Sequence, residues 1–320
     1  MKAIVRHTYG SPDVLELAEV ETPTPQHDEV LIKVQAASVN AADWRMLRAD
    51  PFLTRLDVGL VRPRNKILGF DVAGSVEAAG RAVTQFRPGD QVFGNLFDLR
   101  GGAFAEYVAV PERLLVQKPA NLTFEQAAAV TASRGLRHYG QIKPGHKVLI
   151  NGASGGVGSF ALQIAKALGA EVTAVVSPRN LELARSLGAN HVIDYAREDP
   201  LAGAEGRYDG ILAVNGYQPI AEYRRALRPG GIYVMAGGSM AQFFQAMLLG
   251  AWTFRTGDRK LSMLETKPSQ EDLAFVAGLI EAGQVMPVVD RCYPLEEVPE
   301  AIRYLEAGHV RGKVVIRVLG

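Results

Sequence analysis

A single cysteine, Cys292, stands in 320 residues. That excludes an internal disulfide and any zinc site built from several cysteines. Neither sign of charge is in excess, since 35 Lys and Arg against 34 Asp and Glu leave a net charge of +1. So even a balance carries no electrostatic footprint for nucleic acid or an anionic membrane. Long apolar runs are missing too. The longest, FFQAMLLGAWTF at 243–254, is shorter than the roughly 20 residues of a membrane-spanning helix and contains Gln245. No apolar secretory core follows the opening MKAIVRHTYG, so a cytoplasmic protein without a transmembrane segment is expected. The histidines (His7, His27, His138, His146, His191 and His309) show neither metal-ligand spacing nor a Ser–His–Asp order. Cys292, between Arg291 and Tyr293, has no activating base in its neighbourhood and reads as a buried or inert thiol.

Glycine, by contrast, is concentrated where it carries chemistry. Between Lys147 and Arg179 the chain reads KVLINGASGGVGSFALQIAKALGAEVTAVVSPR. The strand Val148–Ile150 runs into a turn made of Gly152, Ala153, Ser154, Gly155, Gly156, Val157 and Gly158. Phe160, Leu162, Ile164 and Leu168 then recur at roughly helical spacing, and a second strand, Val172–Val176, follows. Strand, glycine turn, helix and strand form the context in which the dinucleotide fingerprint is meaningful. The glycines let backbone approach a pyrophosphate, and the helix N-terminus offers free N–H donors and a partial positive charge. An NAD-preferring site places Asp or Glu at the end of the second strand, about 20 residues beyond the glycines. Here that strand ends in Val176-Ser177-Pro178-Arg179-Asn180, without a carboxylate until Glu182. A hydroxyl and a guanidinium suit the 2′-phosphate of NADPH, which a carboxylate would repel. Ordinary helix-start chemistry, an N-cap followed by a surface arginine, is the other reading of Ser177 and Arg179.

Two textures flank this motif. Residues 1–118 hold short β runs such as EVLIKVQAASV and FDVAGSVEAAG, punctuated by Pro and Gly. From about residue 121, strands alternate with helices: a helix over Phe124–Tyr139, then strands at His191–Asp194, Gly210–Val214 and Ile232–Met235. That alternation predicts right-handed crossovers and a parallel sheet covered on both faces. It breaks near 258 at the polar TGDRKLSMLETKPS. The helix Gln270–Ala282, a helix around Glu296–Ala307 and a terminal strand Lys313–Val318 follow. The expected organisation is a first domain over 1–120, a nucleotide-binding domain over 121–258, and a return segment, 259–320, that completes the first domain, with a ligand cleft between the two domains. Asn215-Gly216 and Gly237-Gly238 fall at strand C-termini, where open α/β sheets bind ligands; simple loop geometry explains them as well.

Several separated motifs, in order, give the chain a family likeness. YGSPDVL (9–15), SVNAADWR (38–45), GFDVAGSVEAAG (69–80), RPGDQVFG (87–94), NGASGGVG (151–158), LGANHVIDY (187–195), LRPGGIYVMAGG (227–238) and GKVVIRV (312–318) span nearly the whole sequence. On these the chain resembles the zinc-independent quinone oxidoreductase branch of the medium-chain dehydrogenase/reductase superfamily. The resemblance implies an α/β fold, with a doubly wound parallel Rossmann sheet and a β-rich, distorted-barrel (GroES-like) catalytic domain. Zinc-dependent members carry a Cys ligand where Asn40 stands, and a His-Glu pair where Phe70-Asp71 stands. No four-cysteine lobe follows Asn95. Amide and phenyl groups cannot replace thiolate and imidazole at a catalytic zinc, so no metal is expected.

The resemblance also suggests roles for individual residues. It places Asn40 toward the nicotinamide ribose and substrate as the catalytic-site candidate, a turn or capping amide being the other reading. Thr131 falls near the nicotinamide, Tyr195 near the 2′-phosphate and Lys313 near the cofactor, although a buried hydroxyl and a solvent-facing lysine are equally ordinary roles for the first and last. Asp43 reads as a helix-start carboxylate rather than a catalytic acid, and Arg45 and Arg48 as solvated helix arginines. The expected function is NADPH-dependent hydride transfer to a small electrophile, a quinone or an α,β-unsaturated carbonyl compound, by a homodimer. Alternatives are a zinc-free alcohol dehydrogenase, an enoyl-thioester reductase or a non-enzymatic NADPH-binding protein. The stretch MAQFFQAMLLGAWTF (240–254) suits a substrate wall, a dimer contact, a peripheral membrane patch or plain core packing.

Overall fold

The computed structural model describes residues 1–130, 141–216, 218–237, 259–263 and 269–319. Thr131, Gly238, the 240–254 segment and the second half of the helix expected over Phe124–Tyr139 lie outside the described residues. The chain forms two compact units: Met1–Ala132 with Lys267–Glu281 and Pro287–Gly320, and Ser133–Thr266 with Ala282–Met286.

In chain order the first unit begins with β1 (Lys2–Arg6), β2 (Leu15–Glu19), β3 (Glu29–Val39), α1 (Ala41–Arg48), α2 (Arg55–Val58), β4 (Asp71–Ala79), β5 (Gln91–Asn95), β6 (Tyr107–Pro111), β7 (Leu115–Gln117) and α3 (Phe124–Ala128). The second contributes β8 (Lys147–Asn151), α4 (Gly156–Ala167), β9 (Glu171–Val176), α5 (Leu181–Ser186), β10 (His191–Asp194), β11 (Tyr208–Ala213), α6 (Ile220–Ala226), β12 (Leu227–Met235) and β13 (Lys260–Met263). The chain then returns to the first unit with α7 (Gln270–Glu281), β14 (Val289–Pro294), α8 (Val298–Glu306) and β15 (Lys313–Arg317).

The first unit is organised by β3, whose eleven residues pair antiparallel with β4, β6 and β15. The sheet runs β14-β15-β3-β4-β5-β7, with β6 attached to β3. A C-terminal strand is thus hydrogen-bonded into the middle of an N-terminal sheet. Ile32, Val34, Val72, Val92 and Ile316 from its strands form one core with Leu68, Phe70, Phe104 and, from α8, Val298 and Ile302. This is the GroES-like β-rich domain.

In the second unit all six strands are parallel, in the order β10-β9-β8-β11-β12-β13. Counted from β8, that is the doubly wound order 3-2-1-4-5-6. Val148, Leu149 and Ile150 of β8 are buried, as a strand covered on both faces must be. β13 is a finding that composition conceals: four residues, KLSM, inside a stretch that reads as a polar connection, yet paired in register with Ile232–Met235. Leu261 packs against the core of this unit, and polar residues on either side mask the strand. Open sheets of this kind bind ligands outside the strand C-termini where the order reverses, here between β8 and β11.

Candidate functional site

At that switch point the glycine loop joins β8 to α4. Gly152 has φ of 85°, open to glycine at little cost, and a Cβ there would sit 2.8 Å from the Asn215 nitrogen. Gly158 lies so near the strand end that a Cβ would approach the Gly152 carbonyl to 2.0 Å. Gly155 is different, because an added Cβ would find only the Gly152 oxygen, 3.8 Å away. Two glycines therefore serve the fold, and the third leaves open space.

Open space coincides with unmet polar capacity. α4 starts at Gly155 without a side-chain cap, so the N–H groups of Gly156, Val157 and Gly158 have no intrahelical acceptor. Ser154 Oγ accepts from Asn180 Nδ2 at 2.9 Å, while the buried Asn180 Oδ1 has no partner. An uncapped helix start, an orphaned acceptor and an unfilled glycine fit a dinucleotide: anionic pyrophosphate for the first and third, a hydroxyl donor for the second. Ser177 starts a short 3-10 turn after β9 and makes no cap bond. Tyr195, largely exposed, is held next to that strand end by its main-chain N–H, which donates to the Val176 carbonyl. The carboxylate before it, Asp194, accepts from Ala196 N at 3.0 Å through Oδ1, while its buried Oδ2 faces Arg197 Nε at 3.4 Å without a hydrogen bond. Asn215 and Gly237 complete the rim, their N–H groups donating to the Asn151 and Ala213 carbonyls. The loop residues, Ser177, Arg179, Asn180, Tyr195, Asn215 and Gly237 thus share the carboxyl end of one sheet.

Asn40 and Lys313 belong instead to the first unit, at the end of a polar row written across its strands. Ser38, Asp71 and Asn95 are direct neighbours in register on β3, β4 and β5. Asp71 Oδ2 accepts from Ser38 Oγ at 2.8 Å, Asn40 Nδ2 at 2.9 Å and Lys313 Nζ at 2.8 Å, and Oδ1 accepts from Asn95 Nδ2 at 2.7 Å. Lys313 Nζ also donates to Asn40 Oδ1 at 2.6 Å. Both charged partners are almost wholly buried, Lys313 at 3% exposure and Asp71 at 4%. Lys313 is accordingly no solvent-facing lysine. A buried ion pair is tolerable only when its remaining donors and acceptors are met, and this row meets them.

The start of α1 ties to the same row. Asp43 is buried, accepting from Asn40 N at 2.7 Å through Oδ2 and from Gly69 N at 2.8 Å through Oδ1. Burial pushes its carboxyl up to about 7 against the pull of those two N–H groups. A carboxylate closed off by two main-chain donors is a cap that fixes the Asn40 backbone and the entry to β4. Phe70 is buried hydrocarbon against Phe97, ring centroids 5.4 Å apart. Among the described residues no group of three His, Cys, Asp or Glu is placed to hold a metal.

Sequence reasoning left out Ser38 and Asn95 and gave Asp71 no role beyond replacing an acid. Each looks like an isolated polar residue in an apolar strand. The signal was the pairing register, which brings Lys313 to Asn40 across 273 residues.

Comparison with known proteins agrees with this geometry. Residues 26–120 match the alcohol dehydrogenase GroES-like domain and residues 187–316 a zinc-binding dehydrogenase family. A chloroplastic quinone-oxidoreductase homolog of Spinacia oleracea is 32% identical over 336 residues, covering 99% of this chain and 98% of that protein. The chloroplastic NADPH-dependent alkenal/one oxidoreductase of Arabidopsis thaliana is 33% identical over 332 residues, covering 99% and 79%. The quinone oxidoreductase from Coxiella burnetii superposes with a TM-score of 0.88 at 31% identity, covering 100% of this chain and 99% of the other.

Fold, site and relatives together define an oxidoreductase of the medium-chain dehydrogenase/reductase class. Within it, the chain belongs to the zinc-independent quinone oxidoreductase branch. Its homologues include NAD(P)H-dependent oxidoreductases. One expectation is overturned. The cytoplasmic assignment conflicts with relatives that are chloroplast proteins, because a missing secretory core speaks to one kind of address only. No helix among the described residues is long and apolar enough to cross a membrane.

Proposed function

We propose that this chain is an NADPH-dependent reductase of quinones and α,β-unsaturated carbonyl compounds. The observation that carries the cofactor choice is the carboxylate-free end of β9, where Ser177 and Arg179 follow Val176 and no acid comes until Glu182. The substrate class comes from relatives named for quinones and for alkenals and alkenones. Chemistry agrees: a conjugated electrophile accepts a hydride without a Lewis acid, and the positions of the zinc ligands hold Asn40 and Phe70.

NADPH, when bound, supplies the hydride. The N–H groups of Gly156, Val157 and Gly158 would hold its pyrophosphate, and Asn180 Oδ1 is the acceptor that would serve a ribose hydroxyl. Ser177, Arg179 and Tyr195 would hold its 2′-phosphate, the hydroxyl and guanidinium being suited to its oxygens. Asn40 is a positioning residue rather than a proton donor, because its amide is committed to Lys313 and Asp71 on both atoms.

An NADPH-oxidation screen over ortho- and para-quinones, enones, enals, acyl thioesters and, in reverse, saturated alcohols tests the reading. Turnover concentrated on quinones, enones or enals is expected. Turnover of alcohols or thioesters alone, or cofactor binding without any turnover, contradicts it.

A further inference from the structure

The first unit also gathers guanidinium groups around a cavity. Arg6, the last residue of β1, is only 1% exposed. Its Nε donates to the Asn65 carbonyl at 3.4 Å and its Nη1 to the Met46 carbonyl, both neutral main-chain acceptors. That leaves part of its five-donor fork unused, and among the described residues it makes no ion pair. Burial lowers its pKa to about 10, with Tyr9 and Asp43 only partly opposing the shift.

The cavity has a volume of about 260 Å³ and is lined by Arg6, Arg64, Arg100, Asn65, Met46 and Val58. Its walls are fixed by hydrogen bonds. The turn carrying Arg64 is closed by Arg64 N donating to the Val58 carbonyl at 2.9 Å, and it depends on Gly59 at φ 124°. Tyr9 Oη donates to the Gly59 carbonyl at 2.6 Å, and Asn65 Nδ2 to the Leu99 carbonyl. The Arg64 side chain has neither a hydrogen bond nor an ion pair among the described residues. A further guanidinium stands close by: Arg55 lies 4.8 Å from the centre of the Tyr9 ring that Arg6 faces at 5.5 Å, and its Nε is buried without a partner.

Cations brought together and partly desolvated are costly unless an anion joins them. We infer that this cavity is an oxyanion site that takes a small molecule by its phosphate or carboxylate group. The planar guanidinium fork matches both groups through paired charge-assisted hydrogen bonds. Met46 and Val58 give the same cavity an apolar side for a short carbon chain. The site is independent of the reductase reading and lies in the other unit from the glycine loop.

Titration calorimetry of the full-length protein at constant ionic strength tests it, with inorganic phosphate and malonate as separate probes. At least one of them is expected to bind with one-to-one stoichiometry. Arg64→Ser should weaken that binding about tenfold or more, the worth of a charge-assisted hydrogen bond. Phosphate binding that is lost in Arg179→Ala and kept in Arg64→Ser belongs to the glycine-loop sheet and counts against this cavity. Phosphate binding alone identifies a phosphate site, and malonate binding alone a carboxylate site. Arg6→Met examines the buried group; if that variant misfolds, exposed Arg64→Ser still decides. Binding by neither probe, or binding that Arg64→Ser leaves untouched, overturns the inference.

Discussion

The polar row of the first unit and the glycine loop of the second are built on opposite plans. In the row every group is spoken for: Asp71 accepts four hydrogen bonds, and Lys313 and Asn40 close the network. In the loop a helix start lacks a cap, Asn180 Oδ1 lacks a partner and Gly155 faces open space. Saturation marks a device that holds geometry, since buried charge is stable only when fully met. Uncapped N–H groups at a helix N-terminus mark a place that suits an anionic ligand. A residue list would rank Lys313 and Gly155 alike as cofactor-site positions, whereas their surroundings give them different tasks.

The largest expected effect comes from breaking the saturated side. Lys313→Met leaves a buried carboxylate unpaired and should cost about 3–5 kcal/mol in a denaturant titration. Adding Asp71→Leu should recover only part of that loss, because it removes the unpaired charge but leaves Ser38, Asn40 and Asn95 without their acceptor. If the single variant is as stable as wild type, the row does not hold the sheet as described.

In the glycine loop, Gly155 and Gly158 should part company. Gly158→Ala collides with the Gly152 carbonyl and should lower both stability and cofactor affinity. Gly155→Ala should stay within about 1 kcal/mol of wild-type stability, the scale of a weakened N-cap. Its cofactor affinity should nevertheless fall, with thermal melts and fluorescence titration separating the two effects. Equal loss of stability in both variants would erase the contrast between fold glycine and ligand glycine.

A smaller effect is expected at the border of the row. The Asp43 carboxyl is raised to about 7, so the folded chain keeps its proton after the unfolded chain, near pH 4, has lost it. Its contribution to stability is therefore fully present below about pH 4 and declines as pH rises toward 7. Unfolding free energies of wild type and Asp43→Asn over this range should differ in slope. Parallel curves would show that the two N–H donors offset burial, and a reversed slope that they outweigh it.

How much of this the sequence disclosed follows from distance along the chain. The glycine loop was legible because strand, turn and helix are contiguous and their patterns local. Strand His191–Asp194 was located to the residue for the same reason. The row was not, since Ser38, Asp71, Asn95 and Lys313 meet only through strand register. β13 was hidden because four residues leave too little alternation to detect among polar neighbours. The cavity around Arg6 was equally invisible: the arginine ends an apolar strand, and its burial depends on α1 and the 58–64 turn. Zinc independence was readable at two positions, because it rests on side-chain chemistry rather than on contacts.

The most direct test of the central claim is a parallel fluorescence titration of wild type and Arg179→Ala with NADPH and NADH. Wild type should bind NADPH at least about tenfold more tightly, a difference of roughly 1.4 kcal/mol. Arg179→Ala should close most of that gap by weakening NADPH alone. Equal affinity for the two cofactors in wild type, or an unchanged preference in the variant, would contradict it.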